Sequence, residues 1–106
     1  MDVVVLVHQR SGMVCEVCGN TWAGQQHHRR PRASGGTRRP ESNRAANLLD
    51  LCLACHARIE SHRNWAYVNG LLLQQHQDPT KVPVVLRHGT VLLTDAGEVK
   101  HVHPHG

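Results

Sequence analysis

The chain has 106 residues, which allows one domain, and it contains no Phe, one Tyr and two Trp, so material for a hydrophobic core is scarce. The formal net charge is +4, and no apolar run approaches the length of a bilayer, so we expect neither a membrane-spanning segment nor a membrane partner. Small domains with thin cores usually need a disulfide or a metal site. The four cysteines are the obvious candidates.

The first half of the chain is predicted to alternate extended segments with turns. Residues 2–7, which include the apolar run 3–7, predict a β-strand, or an arm that pairs with another segment. Residues 13–19 predict a zinc knuckle, in which Gly19 supplies the positive φ of the turn. Residues 25–30 predict the next strand, and residues 31–44 form a loop rich in Arg, Pro, Gly and Ser.

The second half is predicted to contain one helix and a hairpin. The helix runs from about 53 to 69, where Gly70 ends it, and residues 84–97 predict a β-hairpin or two short strands. We therefore expect four segments: an N-terminal strand or arm (1–12), a central domain (13–70), an extension with a β-hairpin (71–99) and a disordered tail (100–106).

The cysteines form two Cys-x-x-Cys pairs, and adjacent thiolates in such a turn point at one ion. The spacing predicts a closed four-thiolate zinc site whose role is folding, because it has no open position for a substrate. Two disulfides are the alternative; the chain shows no signal peptide, so a reducing cytoplasm is expected, which disfavours them. A nucleophilic cysteine needs no three matching partners and is disfavoured too. The predicted zinc ligands are Cys15, Cys18, Cys52 and Cys55.

The histidines near these cysteines predict a second, chemical site. His27 and His28 are adjacent, so in an extended segment they point to opposite faces and do not easily chelate one ion. One would bind a metal and the other would act as a base towards the substrate. On the following helix, Glu60 lies about 40° round from His56 and His62 about 240° round, which favours Glu60 as the second helix-borne ligand. An ordinary surface pair on a helix is the alternative.

Five arginines fall within eleven residues, interleaved with Pro and Gly. A basic loop next to a metal site suggests a phosphate-backbone partner, with DNA held largely through its phosphates. A solvated basic face is the alternative. The predicted DNA-binding residues are Arg29, Arg30, Arg32, Arg38 and Arg39.

Taken together, these residues resemble the HNH endonuclease family, and most closely the small HNH proteins encoded by bacteriophages and actinobacteria. The resemblance covers roughly residues 13–70, about half of the chain. It implies an α+β, ββα-metal (His-Me finger) fold held by the four-cysteine zinc site, and metal-dependent hydrolysis of DNA phosphodiester bonds. The residues that carry it are Cys15-x-x-Cys18, His27-His28-Arg29-Arg30, Asn47-Leu48, Leu51-Cys52-x-x-Cys55-His56 and Ile59-Glu60.

The resemblance also implies roles for single residues. His27 and His56 would bind one divalent ion that stabilises the leaving 3′-oxygen, and His28 would be the general base on water. Asn47 would orient that base or brace the loop. Many members carry a histidine where this chain has Glu60, which leaves the third ligand open. A carboxylate there shifts the metal preference towards Mg²⁺ or Mn²⁺, with Ni²⁺ and Zn²⁺ as further candidates.

Two non-enzymatic hypotheses remain. A zinc-stabilised DNA-binding module would use the arginine loop but would leave the histidines unexplained. An adaptor would dock the hairpin at 84–99 on a larger enzyme, and the resemblance implies a phage DNA-packaging terminase in the bacterial host. The aromatic residues Trp22, Trp65 and Tyr67 are expected in the core rather than stacked on bases.

Overall fold

Three α-helices, one short 3₁₀ turn and two antiparallel sheets make up an α+β fold in the residues that the computed structural model describes, 2–31 and 43–102. The first sheet pairs β1 with β2, and the second has the order β3-β4-β5. The elements are α1 (Val3–Ser11), β1 (Gln25–His28), the 3₁₀ turn (Ala45–Asn47), β2 (Leu48–Leu51), α2 (Leu53–Ser61), α3 (Arg63–Val68), β3 (Val84–Leu86), β4 (Gly89–Leu93) and β5 (Val99–His101).

The N-terminal segment is helix α1, so the prediction of a strand or arm at 1–12 is wrong. Asp2 caps the helix by accepting a hydrogen bond from the backbone N–H two residues on, and Gly12 ends it with a φ of 67°. Val7 is fully buried against Ala45 and Leu48. These caps and this packing outweigh the β-propensity of the valine run, which depends on context.

The two-stranded sheet brings the predicted site residues next to α2. β1 and β2 are antiparallel, with Gln26 opposite Asp50 and His27 opposite Leu49. The knuckle before β1 is closed by a bridge between Val14 and Trp22. Because side chains alternate along a strand, Gln25 and His27 share the face on which α2 lies, and Gln26 and His28 leave the strand on the other side.

The predicted helix from 53 to 69 is two helices, α2 and α3, which meet at His62. His62 departs from helical geometry, with a φ of −129° and a ψ of 63°. Gly70 lies just beyond α3, as expected, with a φ of 71°. A Cβ atom there would lie 2.0 Å from the carbonyl oxygen of Pro83, so only glycine fits. This close approach brings the C-terminal sheet against the helices.

The predicted hairpin is present as β3 and β4, and β5 extends it to a third strand. Val91 pairs with His101, so the prediction of a disordered tail from residue 100 is wrong at its start. Residues 103–106 lie outside the described part of the chain. Val84, Val91 and Leu93 belong to the same buried cluster as Leu49, so this sheet and the two-stranded sheet share one core.

The three aromatic residues differ in how much of their surface is exposed to solvent. Trp65 and Tyr67 are partly buried and pack against the main core, as expected. Trp22 is 71 % exposed, so its assignment to the core is wrong. It follows the knuckle and pairs with Val14 in an isolated bridge. Within the described ranges, no helix is long and apolar enough to cross a membrane.

Candidate metal centres

The four cysteine sulfurs converge on one point between the knuckle and the start of α2. One ligand atom from each cysteine lies within 4.8 Å of all the others, and none of the four forms a disulfide. The Sγ atoms of Cys18 and Cys52 are 3.9 Å apart. A tetrahedral zinc site with bonds of about 2.3 Å has sulfur–sulfur edges of about 3.8 Å. The cluster therefore has the size that a four-thiolate zinc site requires.

Backbone N–H groups prepare this cluster for ionisation. Burial opposes ionisation of Cys15, but hydrogen bonds from the backbone of Cys18, Cys52 and Val17 outweigh it and lower the pKa of Cys15 to about 7. Burial and hydrogen bonds with the neighbouring thiols raise the pKa of Cys55. One thiolate is thus favoured over the others, and a metal ion that binds all four must displace the remaining protons.

A second cluster joins β1 to α2. His27, His56 and Glu60 each place one ligand atom within 4.8 Å of the other two. The imidazole rings of His27 and His56 are 5.1 Å apart between centroids. His62 ends α2 and contacts Ser61, so the helix brings Glu60 and not His62 to this cluster. Two imidazoles and one carboxylate form a common ligand set for a divalent ion.

Both histidines of this cluster are oriented by an oxygen acceptor. Nε2–H of His27 donates to the carbonyl oxygen of Leu71 at 2.7 Å, which leaves the Nδ1 lone pair available. Nδ1–H of His56 donates to Oε1 of Gln25, which leaves Nε2 available. Burial lowers the pKa of His27 to about 4, so this imidazole is neutral at pH 7. Outer acceptors of this kind are typical of metal-binding histidines.

Neither of these two acceptors was predicted from the sequence. Leu71 contributes only a backbone carbonyl, which no side-chain pattern reveals. The sequence did contain a signal for Gln25, because this residue precedes His27 by two positions and so shares its face of β1.

His28 lies beside this cluster, on an open cleft of about 400 Å³. Its Nε2–H donates to Oδ1 of Asn43 at 3.1 Å, so its Nδ1 is the nitrogen that can accept a proton. The cleft is lined by Gln26, His27, His28, Pro31, His56, Glu60, Arg63 and Leu72. The predicted base and the predicted ligands therefore face one solvent-accessible space.

Asn47 is fully buried and braces the end of β1. Its Oδ1 accepts from the N–H of Arg30 at 2.8 Å, and its Nδ2 donates to the carbonyl of the same residue at 3.2 Å. Of the two roles that the resemblance offered for Asn47, these contacts match bracing the loop. The side chain that contacts the imidazole of His28 is Asn43.

The prediction that Arg29 and Arg30 bind DNA is wrong. Arg29 has no exposed surface, and burial lowers its pKa to about 10. Arg30 is 4 % exposed and donates to the carbonyl of Gln77. A guanidinium group enclosed in this way cannot reach a DNA phosphate. Arg29 donates to the backbone carbonyls of Ala46, Gly70, Pro79 and Val82.

The other three arginines of that loop, Arg32, Arg38 and Arg39, lie outside the described residues. No protein-family model, curated protein or solved structure matches the chain. Proposals about its function therefore depend on the two clusters and the cleft beside them.

Proposed function

We propose that the protein is a metal-dependent endonuclease that hydrolyses DNA phosphodiester bonds. The observation that supports this best is the convergence of His27, His56 and Glu60 on one point, with His28 beside them on the same open cleft. A ββα-metal arrangement is part of the proposal: β1 and β2 would be its two strands and α2 its helix. The four-cysteine cluster would hold a structural zinc ion.

His27, His56 and Glu60 would hold the catalytic divalent ion. The donor set fits, because each imidazole has one nitrogen committed to an outer acceptor and the other free. Two nitrogens suit Zn²⁺, Ni²⁺ or Mn²⁺, and the carboxylate oxygen admits Mg²⁺. When bound, such an ion supplies Lewis-acid stabilisation of the negative charge that develops on the phosphate and on the leaving 3′-oxygen.

His28 would take a proton from the attacking water. The contact with Asn43 fixes its proton on Nε2, so Nδ1 carries the lone pair that a general base needs. The adjacent position of His27 lets one strand supply both a ligand and a base, since neighbouring side chains leave a strand on opposite faces.

The test is a plasmid cleavage assay at low salt with Mg²⁺, Mn²⁺, Ni²⁺ and Zn²⁺, comparing the parent protein with His28→Ala. We expect metal-dependent nicking by the parent and a loss of about 100-fold or more in the variant. Zinc content and circular dichroism should be unchanged, because His28 belongs to neither cluster of ligands. Cleavage by His28→Ala at the parental rate would exclude this residue as the base.

The same assay separates the enzyme from a DNA-binding module. DNA binding without cleavage under every metal would favour the module. Burial of Arg29 and Arg30 argues against that reading, because it removes two of the phosphate contacts on which the module depended. Association with a DNA-packaging terminase stays a prediction from the family resemblance.

A further inference from the structure

We infer that Arg63 contacts a phosphate of the DNA at the cleft beside His27, His56 and Glu60. This inference rests on the proposed function, since it assigns a substrate contact to the proposed active site. Neither the sequence motifs nor the arginine cluster pointed to Arg63. It begins α3, directly after the break at His62, and lies on the rim of the cleft.

The charge of the residues that line the cleft favours this contact. Among the described residues that line the cleft, Arg63 is the one lysine or arginine. The two described arginines that the sequence had assigned to DNA are buried among backbone carbonyls. A phosphodiester that enters the cleft therefore meets Arg63 as its fixed positive charge. The planar guanidinium group matches two phosphate oxygens at once, which suits this role.

The position of the Arg63 side chain also favours this contact. Nη1 of Arg63 lies 3.1 Å from Oε2 of Glu60, a proposed ligand, so the guanidinium is held within a few ångströms of the metal-binding point. Its Nη2 lies 3.4 Å from the hydroxyl of Tyr67, which steadies it from the other side. The side chain is 47 % exposed and so remains accessible to a ligand.

The alternative is an ordinary surface ion pair on neighbouring helical turns, which contributes about 0–1 kcal/mol to stability and nothing to binding. The location of Arg63 on the cleft is what favours a ligand contact over this reading. Arg58 offers a matched comparison, because its guanidinium stacks 3.9 Å from the ring centroid of Trp65 and does not line the cleft.

The experiment measures binding of a fluorescent 20-base-pair duplex by anisotropy between 50 and 250 mM NaCl, in a His28→Ala background that prevents cleavage. Arg63→Ala should weaken binding by about 10-fold at the lowest salt and reduce the slope of log K against log salt by about 1. Arg63→Lys should recover part of the affinity but not all of it. Arg58→Ala, which removes the same charge, should bind within about 2-fold of the background protein.

Three results would overturn the inference. The first is DNA binding by Arg63→Ala equal to that of its background, and the second is a loss of affinity in Arg58→Ala as large as that in Arg63→Ala. The third is a loss of Mn²⁺ affinity by calorimetry with DNA binding unchanged, which would make Arg63 a support for Glu60 only. Failure of the nuclease proposal is distinguishable: the parent would then cut no DNA with any metal, whereas the effect of Arg63→Ala on binding would persist.

Discussion

At the residue scale, the proposed catalytic metal site depends on acceptors that lie outside its ligand set. Gln25 holds His56 from β1, and the carbonyl of Leu71 holds His27 from the segment after α3. Each acceptor selects one tautomer and so decides which ring nitrogen faces the metal-binding point. The ligands alone would not define the site, because either nitrogen of a free imidazole can bind an ion.

Replacing Gln25 tests this dependence. Gln25→Leu removes the acceptor for Nδ1–H of His56, so we expect the affinity for Mn²⁺ to fall by about 10- to 100-fold, measured by calorimetry on protein with its cysteine site filled by zinc. Gln25→Glu keeps an oxygen acceptor and should retain most of the affinity. Equal affinities for the parent and Gln25→Leu would show that His56 needs no such support.

At the element scale, the contact between the end of α3 and the start of β3 is set by one glycine. Gly70 combines a positive φ with a Cβ position only 2.0 Å from the carbonyl oxygen of Pro83. Gly12 has a similar φ of 67° at the end of α1 but nothing within 4 Å of its Cβ position. The two glycines therefore separate the cost of backbone conformation from the cost of a steric clash.

Alanine substitutions at these two glycines should differ in effect. Gly12→Ala should lower the free energy of unfolding by about 1 kcal/mol, the cost of a left-handed backbone. Gly70→Ala adds a collision with backbone that cannot rotate away, so we expect a loss of about 4 kcal/mol or more. Urea denaturation of both variants measures the difference. Similar losses at the two positions would mean that β3 moves away from α3 at little cost.

At the scale of the whole molecule, the cysteine cluster joins the knuckle to the start of α2. The knuckle contributes one pair of cysteines and the start of α2 the other, and both pairs border the single large core. Structural zinc sites contribute about 10–16 kcal/mol in small domains, which is comparable to the total stability of a domain.

Removing zinc should therefore unfold the protein. We expect Cys55→Ser, or treatment with a strong chelator, to abolish the cooperative thermal transition and most of the helical circular dichroism signal. Withdrawing Mn²⁺ from the second cluster by dialysis should leave the thermal transition and the circular dichroism signal unchanged. The core already holds together the elements that this site would join. A native spectrum after complete zinc removal would mean that the cysteines are not structural ligands.

Short-range patterns predicted much of this molecule. The cysteine pairs, the strand with the two histidines, the helical position of Glu60 and the stop at Gly70 all follow from spacing within one element. The predictions that were wrong concern residues whose structure depends on contacts with distant parts of the chain. The valine run became α1 because Val7 is buried by residues more than 35 positions away. Arg29 was predicted to contact DNA because its charge is visible in the sequence. The four distant backbone carbonyls that accept its hydrogen bonds are not visible there.

The alternation of side chains along β1 has a consequence for engineering. The four residues of this strand send Gln25 and His27 towards α2, and Gln26 and His28 towards the other face. One inserted residue would exchange the two faces and would place the proposed base where the proposed ligand now lies. To transplant the site into another scaffold, a designer would have to graft β1 with its partner strand in unchanged register, and not the histidines alone.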